Sequence, residues 1–261
     1  MATATPAAAR APRFLSVLNP LAKFAAPAPA MIALVFVRDL STPLVFLALA
    51  YALLLLGARL TPRAAGILFA LIPVAVVIVS LGFALWIDPA RVAGTPEVVR
   101  LGGWALTVGA LKIGLATGLR LAAIMALAFI GGLTTEGTDL VRALVQQLRL
   151  PYRIGYAALA AIRFVPRFGH ELAVIRQAHR VRGARGGVVS APARWAGYVV
   201  PLLAGAIRHA ERVALAMDAR AFGAHPDRTE RHLVPWRRRD TVFVTAFWVV
   251  SVVVFVVLRP F

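Results

Sequence analysis

Val181-Arg182-Gly183 and Ala219-Arg220-Ala221 are two short turns within residues 163 to 222, each with an arginine between small or apolar neighbours. Each closes an amphipathic run. Over residues 168–182 the apolar positions Leu172, Ile175, Ala178 and Val181 recur every third residue, near the helical repeat. Over residues 207–222 the matching set is Ile207, Ala210, Val213, Ala214, Met217 and Ala221, with Arg208, Glu211, Arg212 and Asp218 largely off that face. Gly183 and Gly223 stand where a helix end favours glycine. Two predicted helices that each end in x-Arg-x near a glycine read as one device used twice.

The composition around this stretch is that of a membrane protein. Of 261 residues 60% are hydrophobic, yet the net charge is +18, and the mean hydropathy is +0.79. Soluble domains average roughly 45–50% apolar. A membrane protein can separate the two properties, with apolar residues in lipid and basic residues in loops on one side. The charge is indeed localised: Arg142 to Arg239 holds 18 Arg and Lys against the five acids Glu171, Glu211, Asp218, Asp227 and Glu230, so it carries +13. Nucleic-acid binding is the other use of such a block, but membrane-length apolar runs flank it, and no nucleic-acid partner is expected. Cysteine is absent, which excludes disulfides and thiolate metal sites.

Working outward, residues 1–17 are an Ala/Pro-rich arm predicted to be disordered. No long apolar run follows its basic residues directly, so a cleaved signal peptide is not expected. Apolar runs at residues 24–37, 43–58, 64–87, 104–133 and 241–258 predict about five transmembrane helices. Residues 88–103 are polar, contain Gly and Pro, and read as a loop. The fourth span is placed at residues 113–132, with Lys112 at its edge and Arg120 inside it, either snorkelling to headgroups or buried and paired. Gly114 and Gly118 form a G-x-x-x-G pair, which lets another helix approach closely. The positive-inside rule puts the N-terminus and residues 134–240 in the cytoplasm. Inside that insert, residues 152–165 and 195–207 are apolar but short, and Pro151, Pro166, Pro192 and Pro201 punctuate the region. These segments are expected to be interfacial, re-entrant or a short hairpin, which would raise the count to six or seven. The fold class is therefore all-α and polytopic. The predicted divisions are an arm at 1–17, four spans at 18–133, a cytoplasmic-side helical region at 134–240 and a last span at 241–261.

An arginine fork suits a carboxylate or the carbonyls at a helix end, and small neighbours let a partner approach. Taken alone, each arginine reads more simply as a headgroup or topology charge. The motifs, however, resemble a known family. Ala216-Met217-Asp218-Ala219-Arg220-Ala221-Phe222 is similar to the Ala-Met-Glu-Ala-Arg-Gly-Phe of the transmembrane T component of energy-coupling factor transporters, the cobalt and vitamin uptake class. Gln177-Ala178-His179-Arg180-Val181-Arg182-Gly183 is similar to that family's Ala-Gln-x-x-Arg-Gly region. The likeness extends to Asn19-Pro20-Leu21-Ala22-Lys23, Thr134-Thr135, Leu150-Pro151, and Arg163-Phe164-Val165-Pro166 with Glu171. Two positions depart from the pattern: Asp218 replaces Glu and Ala221 replaces Gly.

The resemblance implies a non-catalytic coupling subunit in the cell membrane. It links two cytoplasmic ATP-binding-cassette ATPases to a small substrate-binding membrane subunit that takes up a vitamin or a transition metal. On that model Val181, Arg182 and Gly183, with Ala219, Arg220 and Ala221, dock the ATPases. Glu171 and Asp218 support the coupling helices, and Gly114 and Gly118 offer a surface to the substrate subunit. No cofactor binds directly, and partner subunits use the ATP. Absences agree: no G-x-x-x-x-G-K-[ST], no H-E-x-x-H among the five histidines, and no G-x-S-x-G. The competing readings are a self-sufficient membrane carrier or enzyme using Arg120 and Lys112, and a membrane-anchored nucleic-acid or lipid binder using the basic insert.

Overall fold

The computed structural model describes residues 13–58, 60–87, 92, 94–101, 104–182, 191–225 and 229–258. The chain divides into two compact units, Met1–Glu136 with Pro235–Phe261, and Gly137–Val234.

The first unit contains the apolar helices. The expected disordered arm at 1–17 lies outside the described residues up to 12, but its end is ordered as a single turn, α1 (Phe14–Val17), with Leu15 buried. Then come α2 (Pro20–Ala25) and α3 (Ala28–Phe36), broken from each other near Pro27 and Pro29. α4 is Ser41–Gly57. α5 (Pro62–Gly66) and α6 (Ile72–Trp86) are joined by a π turn over Ile67–Leu71. α7 is Val108–Gly132 and α11 is Arg238–Leu258. By length and composition, Pro62–Trp86, Val108–Gly132 and Arg238–Leu258 can each cross a membrane, while Pro20–Phe36 and Ser41–Gly57 are apolar but shorter. Their outward faces are apolar too. Leu56, Trp86, Val256 and Val257 are largely exposed, which suits lipid and not water. The chain is a multi-pass, all-α membrane protein.

Residues 88–103 hold a correction to the expected loop. β1 (Glu97–Leu101) pairs antiparallel with β2 (Trp104–Thr107), with Val99 opposite Leu106 and Leu101 opposite Trp104. β-Branched and aromatic residues on both sides of Gly102-Gly103 favour a hairpin over an apolar start to the next span. Thr107 then caps α7, its Oγ1 accepting from the Ala110 N–H at 3.2 Å.

α7 is the hub of this unit, packing against α2, α3, α4 and α6. Its buried side chains include Ala116, Ala122, Ala123 and Ala126, small enough for helices to close in from several sides. The Pro73 ring explains the π turn. The Ile72 N–H bonds back five residues to the Ile67 carbonyl, and the next such donor would be Pro73, which has none. The Leu68 carbonyl thus orphaned accepts from the Tyr51 hydroxyl of α4, and the Tyr51 ring packs edge-on to Phe69 at 5.6 Å.

A polar knot ties the start of this unit to its last helix. Asp240 is 1% exposed. Its carboxylate accepts from the Asn19 N–H at 2.8 Å and from the Arg237 N–H at 2.7 Å. Asn19 in turn caps α2 through the Leu21 N–H, at 2.9 Å. Arg239 donates to the Val17 carbonyl, and the buried Lys23 ammonium donates to the Thr134 carbonyl at 2.7 Å. Buried charges persist where they are paired or hydrogen-bonded.

The second unit is α8 (Gly137–Gln147), α9 (Tyr152–Val181) and α10 (Ala191–Asp218). Gly155 of α9 meets Val145 of α8, where an added Cβ would stand 2.2 Å from Val145 Cγ2. Gln146 holds the segment before α11 like a strand partner, donating to the His232 carbonyl and accepting from the Val234 N–H, both at 2.8 Å. The short segments expected at residues 152–165 and 195–207 do not stand apart. Each is part of one long helix, with Pro166 and Pro201 inside α9 and α10. A proline removes one N–H and leaves one carbonyl free, which an otherwise strong helix can absorb as a bend.

Candidate functional site

α9 and α10 run antiparallel. The cross-helix contacts show the register: His179 packs edge-on to Tyr198 at 5.1 Å, and the Phe164 ring stacks on His209 at 4.4 Å. Between them, the Glu171 carboxylate lies against Gly205, where a Cβ would stand 2.0 Å from Oε1. Further along, Tyr156 meets Phe222 at 6.1 Å. A helical rise of about 1.5 Å per residue gives α9 a length of about 45 Å. The end of α9 and the end of α10 therefore lie at opposite ends of one hairpin.

Arg182 directly follows α9. Its N–H still bonds to the Ala178 carbonyl at 3.1 Å, with φ −74° and ψ 8°. Both Arg182 and Val181 are exposed, and Gly183 lies outside the described residues. Nearby, the Arg176 guanidinium sits 4.9 Å over the Trp195 ring, which braces the last turns of α9 against α10.

Arg220 stands in a tight turn beyond α10. The N–H groups of Arg220 and Phe222 both reach the Met217 carbonyl at 3.0 Å, and the Ala221 N–H reaches the Asp218 carbonyl at 2.9 Å. The turn is left-handed at Ala221 (φ 53°) and at Gly223 (φ 92°). Arg220 borders a recess of about 410 Å³ whose walls include Tyr152, Tyr156, Arg163, Met217 and Phe222. A second groove of about 430 Å³, lined by Ala160, Phe164, His209 and Val213 among others, runs between the two helices.

Residues 11–231 fit the family model described as CbiQ, cobalt transport protein. The chain belongs to that family. It is also similar to proteins named energy-coupling factor transporter transmembrane protein EcfT. The one from Staphylococcus aureus is 29% identical over 164 residues, 59% of this chain and 61% of the relative. The one from Limosilactobacillus fermentum is 33% identical over 116 residues, 43% of each chain. A Bifidobacterium longum protein named as an ABC transporter ATP-binding protein is 29% identical over 163 residues, 59% of this chain and 21% of that protein. The chain thus spans about half the length of the EcfT relatives it matches.

The remaining expected site residues of this CbiQ-family chain fall unevenly. Asp218 is exposed, and among the described residues no ion pair joins it to Arg212 or Arg220. Ala221 holds a left-handed position, where a side chain strains the backbone. Gly114 and Gly118 do not offer a surface to a partner. Both are buried against α6 of this same chain, where an added Cβ would stand 2.2 Å from Ser80 O and 2.2 Å from Ser80 Oγ respectively. The close approach that the G-x-x-x-G pair permits is used internally. Arg120, half-buried, points Nη1 at the Val35 carbonyl at the end of α3, 3.5 Å away, a direction favoured by the helix dipole. Lys112 is exposed. Sequence reasoning missed Tyr152, Arg153 and Tyr156, whose contacts with the Arg220 turn cross about 70 residues. The i, i+4 tyrosine pair at a helix start was the available signal.

Among the described residues no group of three or more His, Asp or Glu could hold a metal ion.

Proposed function

We propose that this chain is the coupling subunit of an ATP-driven uptake transporter of the energy-coupling factor type, carrying a vitamin or a transition metal. It sits in the cell membrane with the α8–α10 unit on the cytoplasmic side. Two ABC-type ATPases dock at its arginine turns, and it passes their motion to a separate substrate-binding membrane subunit. It is not an enzyme, binds no cofactor of its own, and leaves ATP hydrolysis to its partners.

The observation that carries this reading is the pair of exposed arginines, Arg182 and Arg220, at opposite ends of one antiparallel hairpin. A spacing of about 45 Å suits two separate partner subunits better than one bidentate site. The relative that carries a similar stretch under an ATP-binding name supports the same link. The alternative of a self-sufficient carrier built on Arg120 and Lys112 is less well supported, because Arg120 faces the end of α3 and Lys112 is exposed.

Co-expression and affinity purification test the proposal. The tagged chain should bring down two ATPase subunits. Arg182→Ala combined with Arg220→Ala should abolish their recovery while membrane insertion persists, since anchoring arginines cost at least about 2 kcal/mol when truncated. Full recovery of the ATPases by the double variant would refute the docking roles.

A further inference from the structure

Arg220 lies two residues past the last helical residue, Asp218, so α10 does not itself fix where its side chain points. The turn that carries it also contains two left-handed residues, one of them an alanine. Such a conformation persists where surrounding contacts over-determine it. Those contacts come from the first turn of α9. The Arg153 Nη2 donates to the Gly223 carbonyl at 2.9 Å, and the Tyr152 hydroxyl donates to the His225 carbonyl at 2.8 Å. The Phe222 ring meets the edges of Tyr152 at 5.6 Å and Tyr156 at 6.1 Å. The Tyr156 hydroxyl continues to Glu230 Oε2 at 3.1 Å. The Arg153 guanidinium lies so close over Gly223 that a Cβ there would stand 3.3 Å from both Nε and Nη2.

We propose that Tyr152, Arg153 and Tyr156 are positioning residues, which clamp the Arg220 turn into its docking shape before a partner arrives. This rests on the docking role given above to Arg220. The clamp takes carbonyls that a free turn would present to water and binds them with a cation and a phenol. It also wedges Phe222 between two rings, which fixes the direction of the residue two before it. Ordering the turn in advance removes part of the entropy loss of association. Arg153 is thus a structural cation facing backbone, unlike Arg220, which is left for the partner.

The chain has no cysteine, so a spin label on Ala224→Cys reports this turn alone. Label mobility and recovery of co-expressed ATPase subunits are measured together in detergent. Arg153→Ala should loosen the label and weaken ATPase binding about tenfold, equivalent to about 1.4 kcal/mol. Arg153→Lys should restore both in part, because an ammonium can still donate to the Gly223 carbonyl. Arg220→Ala should abolish binding and leave the label as immobile as in the parent. An immobile label in Arg153→Ala, or a loosened label with undiminished binding, overturns the clamp. Undiminished binding in Arg220→Ala overturns the docking role instead, and the label in Arg153→Ala still decides whether the turn is clamped.

Discussion

Ala221→Gly should stabilise the turn that presents Arg220. Ala221 holds φ 53°, and a left-handed conformation costs a non-glycine residue about 1–2 kcal/mol. Against this, glycine is freer than alanine when the turn opens, which returns about 0.4–1 kcal/mol. Ala221 is exposed, so losing its methyl removes little packing. Taking the middle of each range, the balance is a gain of about 0.5–1 kcal/mol, or roughly two- to fivefold in the open population. The readout is amide hydrogen exchange in a peptide covering residues 217–225. Within it, the Phe222 N–H is bonded to the Met217 carbonyl and the Ala224 N–H to the Ala221 carbonyl. Both amides should exchange roughly two- to fivefold more slowly. Arg149 supplies the control, because it also holds φ 53°. Arg149→Gly should slow exchange at Leu150, whose N–H reaches the Leu144 carbonyl, and leave residues 217–225 unchanged. Faster or unaltered exchange in Ala221→Gly would falsify the claim that strain is held at this position.

Three further outcomes follow from the first unit. Gly114→Ala puts a methyl 2.2 Å from the Ser80 carbonyl, which is backbone and cannot swing aside; α6 and α7 must separate, at about 1–3 kcal/mol, seen as a lower melting temperature in detergent. Tyr51→Phe leaves the Leu68 carbonyl of the π turn without its hydroxyl donor; a loss of about 1–3 kcal/mol is expected in the same assay, and an unchanged melting temperature would show that the π turn is satisfied without it. Asp240→Asn keeps the shape but turns an amide donor toward the N–H of Asn19 or Arg237; with one buried donor left unpaired, about 1–3 kcal/mol should be lost, and proteolysis between α1 and α2 should accelerate.

Several of these features could be read from sequence because they are local. The apolar runs announce helices by length alone, and an amphipathic run that stops short of a glycine announces a helix end, as α10 does before Gly223. Pro20 after Asn19 marks the start of α2, and the structure has that cap. The hairpin at Glu97–Leu101 and Trp104–Thr107 was also locally encoded, but its apolar second strand merged in sequence with the span that follows it.

What sequence alone determined, then, is a polytopic helical chain with a basic insert and two arginine-tipped helices, because hydropathy, charge and helical period are properties of neighbouring residues. Tertiary structure decided the partners. Gly114 and Gly118 announce close packing but not with what, and only the fold shows that Ser80 of the same chain fills the space. Pro166 and Pro201 look like breaks until long-range contacts hold α9 and α10 together across them. The antiparallel register that sends Arg182 and Arg220 to opposite ends, and the tyrosines that clamp one of them, join residues tens of positions apart. A one-dimensional pattern specifies which face of a helix is sticky; which surface meets it depends on how the whole chain closes.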